Sequence, residues 1–264
     1  MAERAIAERL LYRIVKRHIA GTTMSSAIDK AKELNGKKLP VSISFLSDRT
    51  TDSTKARYAT TTYLELIRRI ARMGLKASIQ VPLDQIGFDI SDDVAAKNAN
   101  DIINTGKTFG VFVWFEIHDH RITLPAFLQE AKGVGYAVSV DNSDEYLWAN
   151  RGIRAVKILC TNTHVKKKDE AMRVRNAVRI VKNTVVQSAS ENALKELLNG
   201  SRVKKSLIFE MELGYNSKKL SNIARRGGRV SVYVPFGKDW EHYAMSRTPE
   251  RYARFIATRI LEEA

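Results

Sequence analysis

The chain has 264 residues, is 44% hydrophobic and carries a formal net charge of +15 at pH 7. Its length suits one globular domain, since a chain of this size buries about three-quarters of its unfolded surface. Residues 1–20 mix charged with apolar side chains, which argues against a signal peptide or membrane span and predicts a cytoplasmic protein. The single cysteine, Cys160, excludes an intramolecular disulfide and a cysteine-based metal cluster.

Two helices are predicted at the start of the chain, over residues 3–18 and 24–34. After them, an apolar run followed by a helical pattern recurs eight times. The predicted strands are 41–46, 77–81, 110–115, 136–140, 155–159, 184–186, 206–211 and 230–234. The helices predicted to follow them are 54–73, 92–104, 124–132, 143–150, 169–182, 190–198, 217–226 and 249–262. Eight such units with right-handed crossovers close a barrel, so we predict the α/β class and a (βα)8 TIM-type barrel.

The predicted organisation is one domain over residues 1–264, with the N-terminal helices in 1–36 and the barrel in 40–264. An open doubly wound sheet is the main alternative. That fold favours a glycine-rich phosphate turn after its first strand, whereas residues 47–50 read Ser-Asp-Arg-Thr. The sequence therefore favours the barrel.

The last predicted strand ends in Tyr-Val-Pro-Phe-Gly at 233–237, and a helix start with Tyr243, Arg247 and Glu250 follows it. This order places a tyrosine, a guanidinium and a carboxylate at the carboxyl end of a barrel strand. Enzymes with this fold hold small anionic substrates at that end. The pattern predicts a substrate site there.

The same segment resembles the end of the proline dehydrogenase family, whose barrels carry a Tyr-Val-Pro-Tyr-Gly strand and a Tyr-x-x-Arg-Arg-x-x-Glu helix. Arg154-x-Val156-Lys157 is similar to the family's Arg-Leu-Val-Lys strand, and Phe-Glu-Met-Glu-Leu-Gly at 209–214 is similar to its Phe-Gln-Met-Leu-Tyr-Gly strand end. The resemblance runs in the same order from residue 41 to the C-terminus. It implies a barrel related to enzymes that use FAD to oxidise L-proline to pyrroline-5-carboxylate.

The resemblance also implies roles for individual residues. Arg247 and Glu250 would hold the proline zwitterion, Tyr243 would pack on it, and the family's third-strand aspartate falls at Glu116. The residues expected at the cofactor are Arg154, Lys157 and Glu210.

Several polar groups of the family are replaced in this chain. The family's second-strand lysine falls at Gln80, its flavin-contacting glutamine on the fourth strand falls near Ser139, and one of its two helix arginines falls at Ser246. The Thr-His-Asn turn after its sixth strand reads Ser-Ala-Ser at 188–190. Each loss costs on the order of 1–3 kcal/mol, and their sum predicts a barrel with no cofactor and no catalytic activity.

The positive charge is concentrated in residues 151–230, which hold 19 Lys and Arg against 6 Asp and Glu. Arg175, Arg179 and Lys182 follow helical spacing with no carboxylate at matching positions. A heat-adapted surface is the alternative, but such surfaces normally add Glu in parallel. A basic stripe is the footprint of phosphate contacts, so these residues are predicted to bind RNA. The predicted RNA-binding residues are Lys166, Lys167, Lys168, Arg173, Arg175, Arg179, Lys182, Arg202, Lys204, Lys205, Lys218, Lys219, Arg225, Arg226 and Arg229.

A carboxylate and two imidazoles follow the third predicted strand, at Glu116, His118 and His120. Glu116 and His118 alternate onto one side of an extended chain, which is compatible with metal binding. Spacing places no third ligand, so no metal site is predicted.

Two functions follow from these patterns. The favoured hypothesis is a non-catalytic barrel that binds structured RNA through its basic C-terminal half, with ribosomal RNA and ribosomal proteins as the expected partners and a homo- or hetero-oligomer left open. The alternative is a divergent FAD-dependent proline dehydrogenase. The colour of the purified protein would distinguish the two hypotheses, because an active flavin enzyme should be yellow and should bleach when proline is added.

Overall fold

The computed structural model describes residues 16–117, 123–160, 166–188, 190–199, 207–214, 217–240 and 243. The predicted C-terminal helix over 249–262 and most of the predicted helix over 3–18 lie outside this part of the chain. So do several predicted site residues, namely Arg202, Lys204, Lys205, Arg247 and Glu250.

Within the described residues, parallel strands form a closed barrel in which each strand pairs with the next along the chain and β8 pairs with β1. The strands are β1 (Val41–Phe45), β2 (Ala77–Pro82), β3 (Val113–Glu116), β4 (Val134–Ser139), β5 (Ala155–Leu159), β6 (Asn183–Gln187), β7 (Leu207–Glu212) and β8 (Arg229–Phe236). The prediction of a (βα)8 barrel is confirmed, and the open doubly wound sheet is excluded by the pairing of β8 with β1.

Helices precede the barrel and connect its strands. Those described are α1 (Met24–Gly36), α2 (Ser53–Arg72), α3 (Asp92–Phe109), α4 (Ala126–Gln129), α5 (Ser143–Ala149), α6 (Lys167–Ile180), α7 (Glu191–Asn199) and α8 (Ser217–Arg225). Short 3-10 helices cover Leu83–Ile86 and Val140–Asn142. Helix α1 packs against β8 and β1 and so covers the point where the barrel closes. The assignment of residues 1–264 to a single domain stays a prediction.

Local signals set the helix ends. The carboxylate of Asp52 accepts hydrogen bonds from the N–H groups of Thr54 and Lys55, which caps α2. Helix α3 runs five residues beyond its predicted end and stops at Gly110, which has a φ of +69° and donates its N–H to the carbonyls of Gly106 and Lys107. Strand β3 consequently starts at Val113 instead of at Gly110.

The main core lies between the strands and the surrounding helices. Ile43, Ile79, Phe115 and Phe209 are fully buried there. Because side chains alternate along a strand, the other set of strand residues faces the barrel interior. All strands are parallel, so their carboxyl ends lie together at one end, here called the mouth, and their amino ends lie together at the base.

Candidate active site in the barrel interior

An ammonium group lies inside the barrel, fully buried. Nζ of Lys157, on β5, donates hydrogen bonds to Oε1 of Glu210 at 2.6 Å, to Oε1 of Gln80 at 2.7 Å and to Oγ of Ser42 at 3.0 Å. These acceptors come from β7, β2 and β1, so the lysine spans the interior. Three acceptors match the three N–H donors of an ammonium group, and all of its donors are used.

The hydrogen bonds continue from this lysine toward both neighbouring carboxylates. Nε2 of Gln80 donates to Oε2 of Glu116 at 2.6 Å, and Oγ of Ser231 donates to Oε2 of Glu210 at 3.1 Å. Register explains the first contact, because Gln80 and Glu116 lie on the adjacent strands β2 and β3. The sequence predicted that glutamine at position 80 removes a cation from the interior. The structure shows that Gln80 accepts a hydrogen bond from Lys157, the residue that matches the family's Arg-Leu-Val-Lys strand, so the interior keeps this cation although the second-strand lysine is absent.

Burial and charge act on this lysine in opposite directions. Loss of hydration lowers the pKa of Lys157, while the neighbouring Glu210 carboxylate raises it. An isolated buried ammonium would lose its proton, but the three acceptors and the ion pair favour the charged form. We therefore treat the pair as an ammonium and a carboxylate.

The space below the lysine is filled by apolar side chains. Trp114, Ala155, Val185 and Ile208 pack together toward the base. The Lys157 ammonium lies 5.1 Å from the centroid of the Trp114 ring, which adds a cation–π contact. Gly135, opposite Trp114 on β4, leaves room for the indole, since a Cβ there would lie 2.4 Å from a ring atom. The interior is therefore closed at the base and polar toward the mouth.

Gln187 is among the interior side chains that the sequence analysis missed. Gln187, the last residue of β6, lies between Leu159 of β5 and Glu210 of β7 in the sheet register. It is fully buried, yet neither its amide nitrogen nor its amide oxygen has a hydrogen-bond partner among the described residues. Native proteins pair nearly all such groups, so this amide marks a position for a ligand or for water.

Aromatic and apolar side chains cover part of the mouth. Ile19, Leu46, Tyr233, Trp240 and Tyr243 form one buried cluster, in which the rings of Tyr233 and Tyr243 lie 6.5 Å apart. Tyr243 was predicted to pack on the substrate, and the structure places it beside the end of β8. Its predicted partners Arg247 and Glu250 lie beyond the described residues.

The segment before α1 is fixed at this end of the barrel. Nδ1–H of His18 donates to the carbonyl of Leu213, just after β7, at 3.0 Å, and the N–H of Ala20 donates to the carbonyl of Pro235 on β8 at 2.8 Å. The N–H of Gly237 donates to the carbonyl of Gly21 at 3.1 Å. These bonds hold Ile19 in the cluster at the mouth.

The other predicted cofactor residues lie in different places. Lys157 and Glu210 come together in the interior, whereas Arg154 is exposed just before β5, at the base and therefore at the opposite end of the barrel. Ser139 ends β4, where its Oγ accepts the N–H of Asp141 at 3.2 Å and caps a short 3-10 helix. Oγ of Ser188 donates to Oε1 of Glu212 at 2.9 Å.

The described residues contain no group of three or more His, Cys, Asp or Glu side chains able to hold a metal ion. Glu116 lies beside Gln80, while His118 and His120 fall outside the described ranges.

At least three of the predicted RNA-binding arginines have side-chain partners inside the protein, including Arg225, whose guanidinium donates to Oδ1 of Asn222. The guanidinium of Arg175, on α6, pairs with Glu196 of α7 at 2.6 Å. Arg173 donates to the carbonyls of Val140 and Asp141 at 3.2 and 2.7 Å. The helical spacing predicted cations without a matching carboxylate. That prediction is wrong for Arg175, because its carboxylate comes from the next helix.

The remaining cations do not share one end of the barrel. Lys166 precedes α6 near the mouth, whereas Lys182 precedes β6 and Arg229 begins β8, both at the base. Arg179 is exposed near the end of α6, and Arg225 and Arg226 are exposed at and just after the end of α8. Lys167 and Lys168 begin α6, and Lys218 and Lys219 lie in α8. The charge is thus spread over both ends of the molecule.

The interior residues that were missed did leave a signal in the sequence. Strand β1 reads Val-Ser-Ile-Ser-Phe, all buried, and β6 ends in Val-Val-Gln. A polar residue at alternate positions of a buried strand indicates an interior that is polar on one side. Ser42, Ser231 and Gln187 could have been assigned to the interior on this basis.

Comparisons with known proteins agree with the fold and the motifs. No family model matches the chain. Proline dehydrogenase 1 of Bacillus subtilis (strain 168) is 25% identical over 279 residues, which cover 94% of this chain and 91% of that protein. Proline dehydrogenase of Deinococcus radiodurans is 25% identical over 299 residues, which cover 99% of this chain and 96% of that protein.

Solved structures with the same barrel come from longer proteins. Proline utilization A from Bdellovibrio bacteriovorus, inactivated by N-propargylglycine, aligns with a TM-score of 0.69 at 15% identity over 88% of this chain and 32% of that one. Proline utilization A from Corynebacterium freiburgense aligns with a TM-score of 0.64 at 13% identity over 96% of this chain and 33% of that one. The chain spans about a third of their length, and this likeness shows the fold.

These comparisons correct two predictions. The favoured hypothesis, a non-catalytic barrel that binds RNA, is contradicted, because the curated relatives over nearly the whole chain are proline dehydrogenases. The prediction of no cofactor is wrong for the same reason, since the resemblance is to a family of FAD-dependent enzymes. In the described part of the chain, no helix has the length and apolarity needed to cross a membrane. The resemblance first seen in the motifs is confirmed, and the chain forms a proline-dehydrogenase-like (βα)8 barrel.

Proposed function

We propose that the protein is a divergent flavin-dependent oxidoreductase that oxidises L-proline or a closely related cyclic amino acid. The observation that carries this proposal is the match to curated proline dehydrogenases over 94% and 99% of the chain. The proposal does not need RNA or any partner protein. It replaces the hypothesis that the barrel lost its chemistry.

Two features of the interior suit FAD. The Lys157 ammonium supplies a fixed positive charge near the middle of the barrel, and the Gln187 carboxamide offers a buried donor and acceptor that lack partners within the described structure. Gln187 is the described residue that would contact the ring system, and Lys157 would support it electrostatically. Bound FAD would supply the oxidising equivalent for converting L-proline to pyrroline-5-carboxylate, a two-electron oxidation in which the ring C–N bond becomes C=N with net loss of one hydride and one proton.

The carboxylates favour a cationic substrate. Glu116 and Glu210 together outnumber the single Lys157 cation with which they share a hydrogen-bond network. This excess of negative charge attracts the secondary ammonium of an amino acid such as proline. The resemblance implies that Arg247, four residues after Tyr243 in the sequence, would bind the substrate carboxylate. The cluster at the mouth that contains Tyr243 and Trp240 limits access of water.

The replaced polar groups reduce affinity for the cofactor without removing the site. Ser139 and Ser188 stand where the family has flavin-binding side chains, and both hydroxyls are already used in bonds within the protein. We therefore expect FAD to bind more weakly than in a typical family member and to be lost in part during purification.

The test is reconstitution followed by reduction. The purified protein is incubated with FAD, freed of excess cofactor and mixed with L-proline without oxygen. The proposal predicts retained flavin absorbance that bleaches on addition of L-proline. Glu116→Gln should slow bleaching by more than about tenfold, since it removes a charge from the site, whereas the surface variant Arg69→Gln should behave as the wild type. Two results would contradict the proposal: a wild-type protein that retains no flavin, or a retained flavin that is not reduced by any cyclic amino acid tested.

A further inference from the structure

The side chain of Gln187 faces the barrel interior near the mouth. Val185, two residues earlier on β6, belongs to the interior cluster with Trp114 and Ala155. Because strand side chains alternate, Gln187 points to the same side as Val185. It is the last residue of its strand, so it lies closer to the mouth than that cluster.

This buried amide differs from the other buried glutamines. Gln85 uses both of its polar atoms, since its Nε2 donates to the carbonyl of Ser47 at 2.9 Å and its Oε1 accepts from the hydroxyl of Tyr63 at 3.0 Å. Gln80 likewise uses both, toward Glu116 and Lys157. Neither polar atom of Gln187 has a partner in the described structure. An unpaired buried amide lowers stability, so its presence needs a reason outside the folding of the barrel.

Its surroundings indicate what kind of group would pair with it. Gln187 is flanked by Leu159 and by Glu210, and both oxygens of Glu210 are already bonded, to Lys157 and to Ser231. A carboxamide presents a donor and an acceptor side by side. The flavin ring carries the complementary pair, an N–H next to a carbonyl, on its pyrimidine edge.

The family's flavin-contacting glutamine falls near Ser139 in this chain, on β4. Ser139 cannot replace it, since its short hydroxyl caps the helix that follows. Strands β4 and β6 are the two neighbours of β5. A glutamine at the end of β6 therefore reaches the same part of the interior from the other side of β5.

We infer that Gln187 hydrogen-bonds the pyrimidine edge of the flavin and thereby replaces, from β6, the glutamine missing at Ser139 on β4. The inference rests on the proposed function, because it specifies how the same site recognises its cofactor. It also assigns a cofactor-binding residue that none of the family motifs in the sequence contains.

The test compares Gln187→Leu with Gln85→Leu, in the protein without flavin and with it. Without flavin, Gln187→Leu should unfold at the same temperature as the wild type or higher, because it removes an unpaired amide. Gln85→Leu should unfold at a lower temperature, because it removes two buried hydrogen bonds, one to the Ser47 carbonyl and one from the Tyr63 hydroxyl. In a titration with FAD followed by flavin fluorescence, Gln187→Leu should raise Kd by about 10- to 100-fold, the loss expected for one or two hydrogen bonds. Gln85→Leu should leave Kd within about threefold of the wild type wherever it is folded.

The outcomes separate this inference from the proposed function. If Gln187→Leu destabilises the flavin-free protein as much as Gln85→Leu does, the amide is structural and the inference is wrong. If the wild type binds FAD and Gln187→Leu binds it equally well, the inference is wrong while the proposed function stands. A change in KM for L-proline with Kd for FAD unchanged would assign Gln187 to the substrate and also overturn the inference. If the wild type binds no FAD, the proposed function fails first, and the inference fails with it.

Discussion

Nζ of Lys157 on β5 lies 2.6 Å from Oε1 of Glu210 on β7, with both side chains buried, at 0% and 3% exposure. The two residues are 53 positions apart in the chain and on strands that are not neighbours. The pair therefore forms only when β5, β6 and β7 lie side by side in the sheet, and it crosses β6 on the interior face of the barrel.

Breaking this pair should strongly destabilise the protein. Lys157→Met leaves the Glu210 carboxylate buried without its cation, and we expect a loss of about 3–5 kcal/mol in the free energy of unfolding, measured in urea. The exposed pair of Arg69 and Glu65 on α2 is the control, and Glu65→Gln should change stability by about 0.5 kcal/mol or less. The double variant Lys157→Met/Glu210→Met should recover part of the loss, because the Glu210 carboxylate is no longer buried without its cation. Equal losses for the single and double variants would show that the charges are not coupled.

Gly214 should be needed for the docking of the segment before α1. It has a φ of +80°, and a Cβ there would lie 2.2 Å from the carbonyl oxygen of Arg17. Gly110, with a φ of +69°, is the matched control, because a Cβ added there would meet no other atom within 4 Å. Gly110→Ala should lower the free energy of unfolding by about 1–2 kcal/mol, because of backbone strain alone. Gly214→Ala should lower the free energy of unfolding by more than Gly110→Ala does, and it should speed trypsin cleavage after Arg17. If the two variants behave alike in both measurements, the segment does not depend on this contact.

Stability should fall at alkaline pH through a buried tyrosine. Burial raises the pKa of Tyr136 from 10.0 to about 12, and its hydroxyl donates to the carbonyl of Leu128 at 2.7 Å. The folded-state pKa is above the unfolded value, so the stabilisation is complete below pH 10 and is lost as pH rises toward 12. Tyr136→Phe should be less stable than the wild type below pH 10 and should show a shallower decline between pH 10 and 12, measured by urea unfolding at each pH. Parallel curves for the two proteins would contradict this assignment.

The thiol of Cys160 should react slowly while the protein is folded. Burial, and after it the negative charge of Glu170, raises the pKa of this thiol well above its usual range. Because the thiolate is the reactive form, a disulfide exchange reagent at neutral pH should modify the folded protein at least about tenfold more slowly than the urea-unfolded protein. Glu170→Gln should speed the reaction of the folded form. As the chain has a single cysteine, the signal is unambiguous, and equal rates in the folded and unfolded protein would contradict the prediction.

The sequence predicted most of the architecture because its signals are local. Apolar runs such as β1 and amphipathic helices such as α2 are visible within a short window, and eight repeats of the pair leave few topologies open. The errors occurred at boundaries. The sequence analysis assigned Gly110 to the third strand. In the structure, α3 continues to Phe109 and Gly110 is its C-cap.

The sequence by itself determined the strands, the helices and the resemblance to proline dehydrogenases, because each depends on neighbouring residues or on short motifs. Only the tertiary structure decided which charges are paired. Arg175 lacks a carboxylate at helical spacing and pairs with Glu196 on the next helix. Lys157 pairs with Glu210 and donates to Gln80, and both partners are far from it in the sequence. The reason is physical: strand register and helix packing bring together side chains that are distant in the chain, while spacing along a sequence reports only contacts within one element.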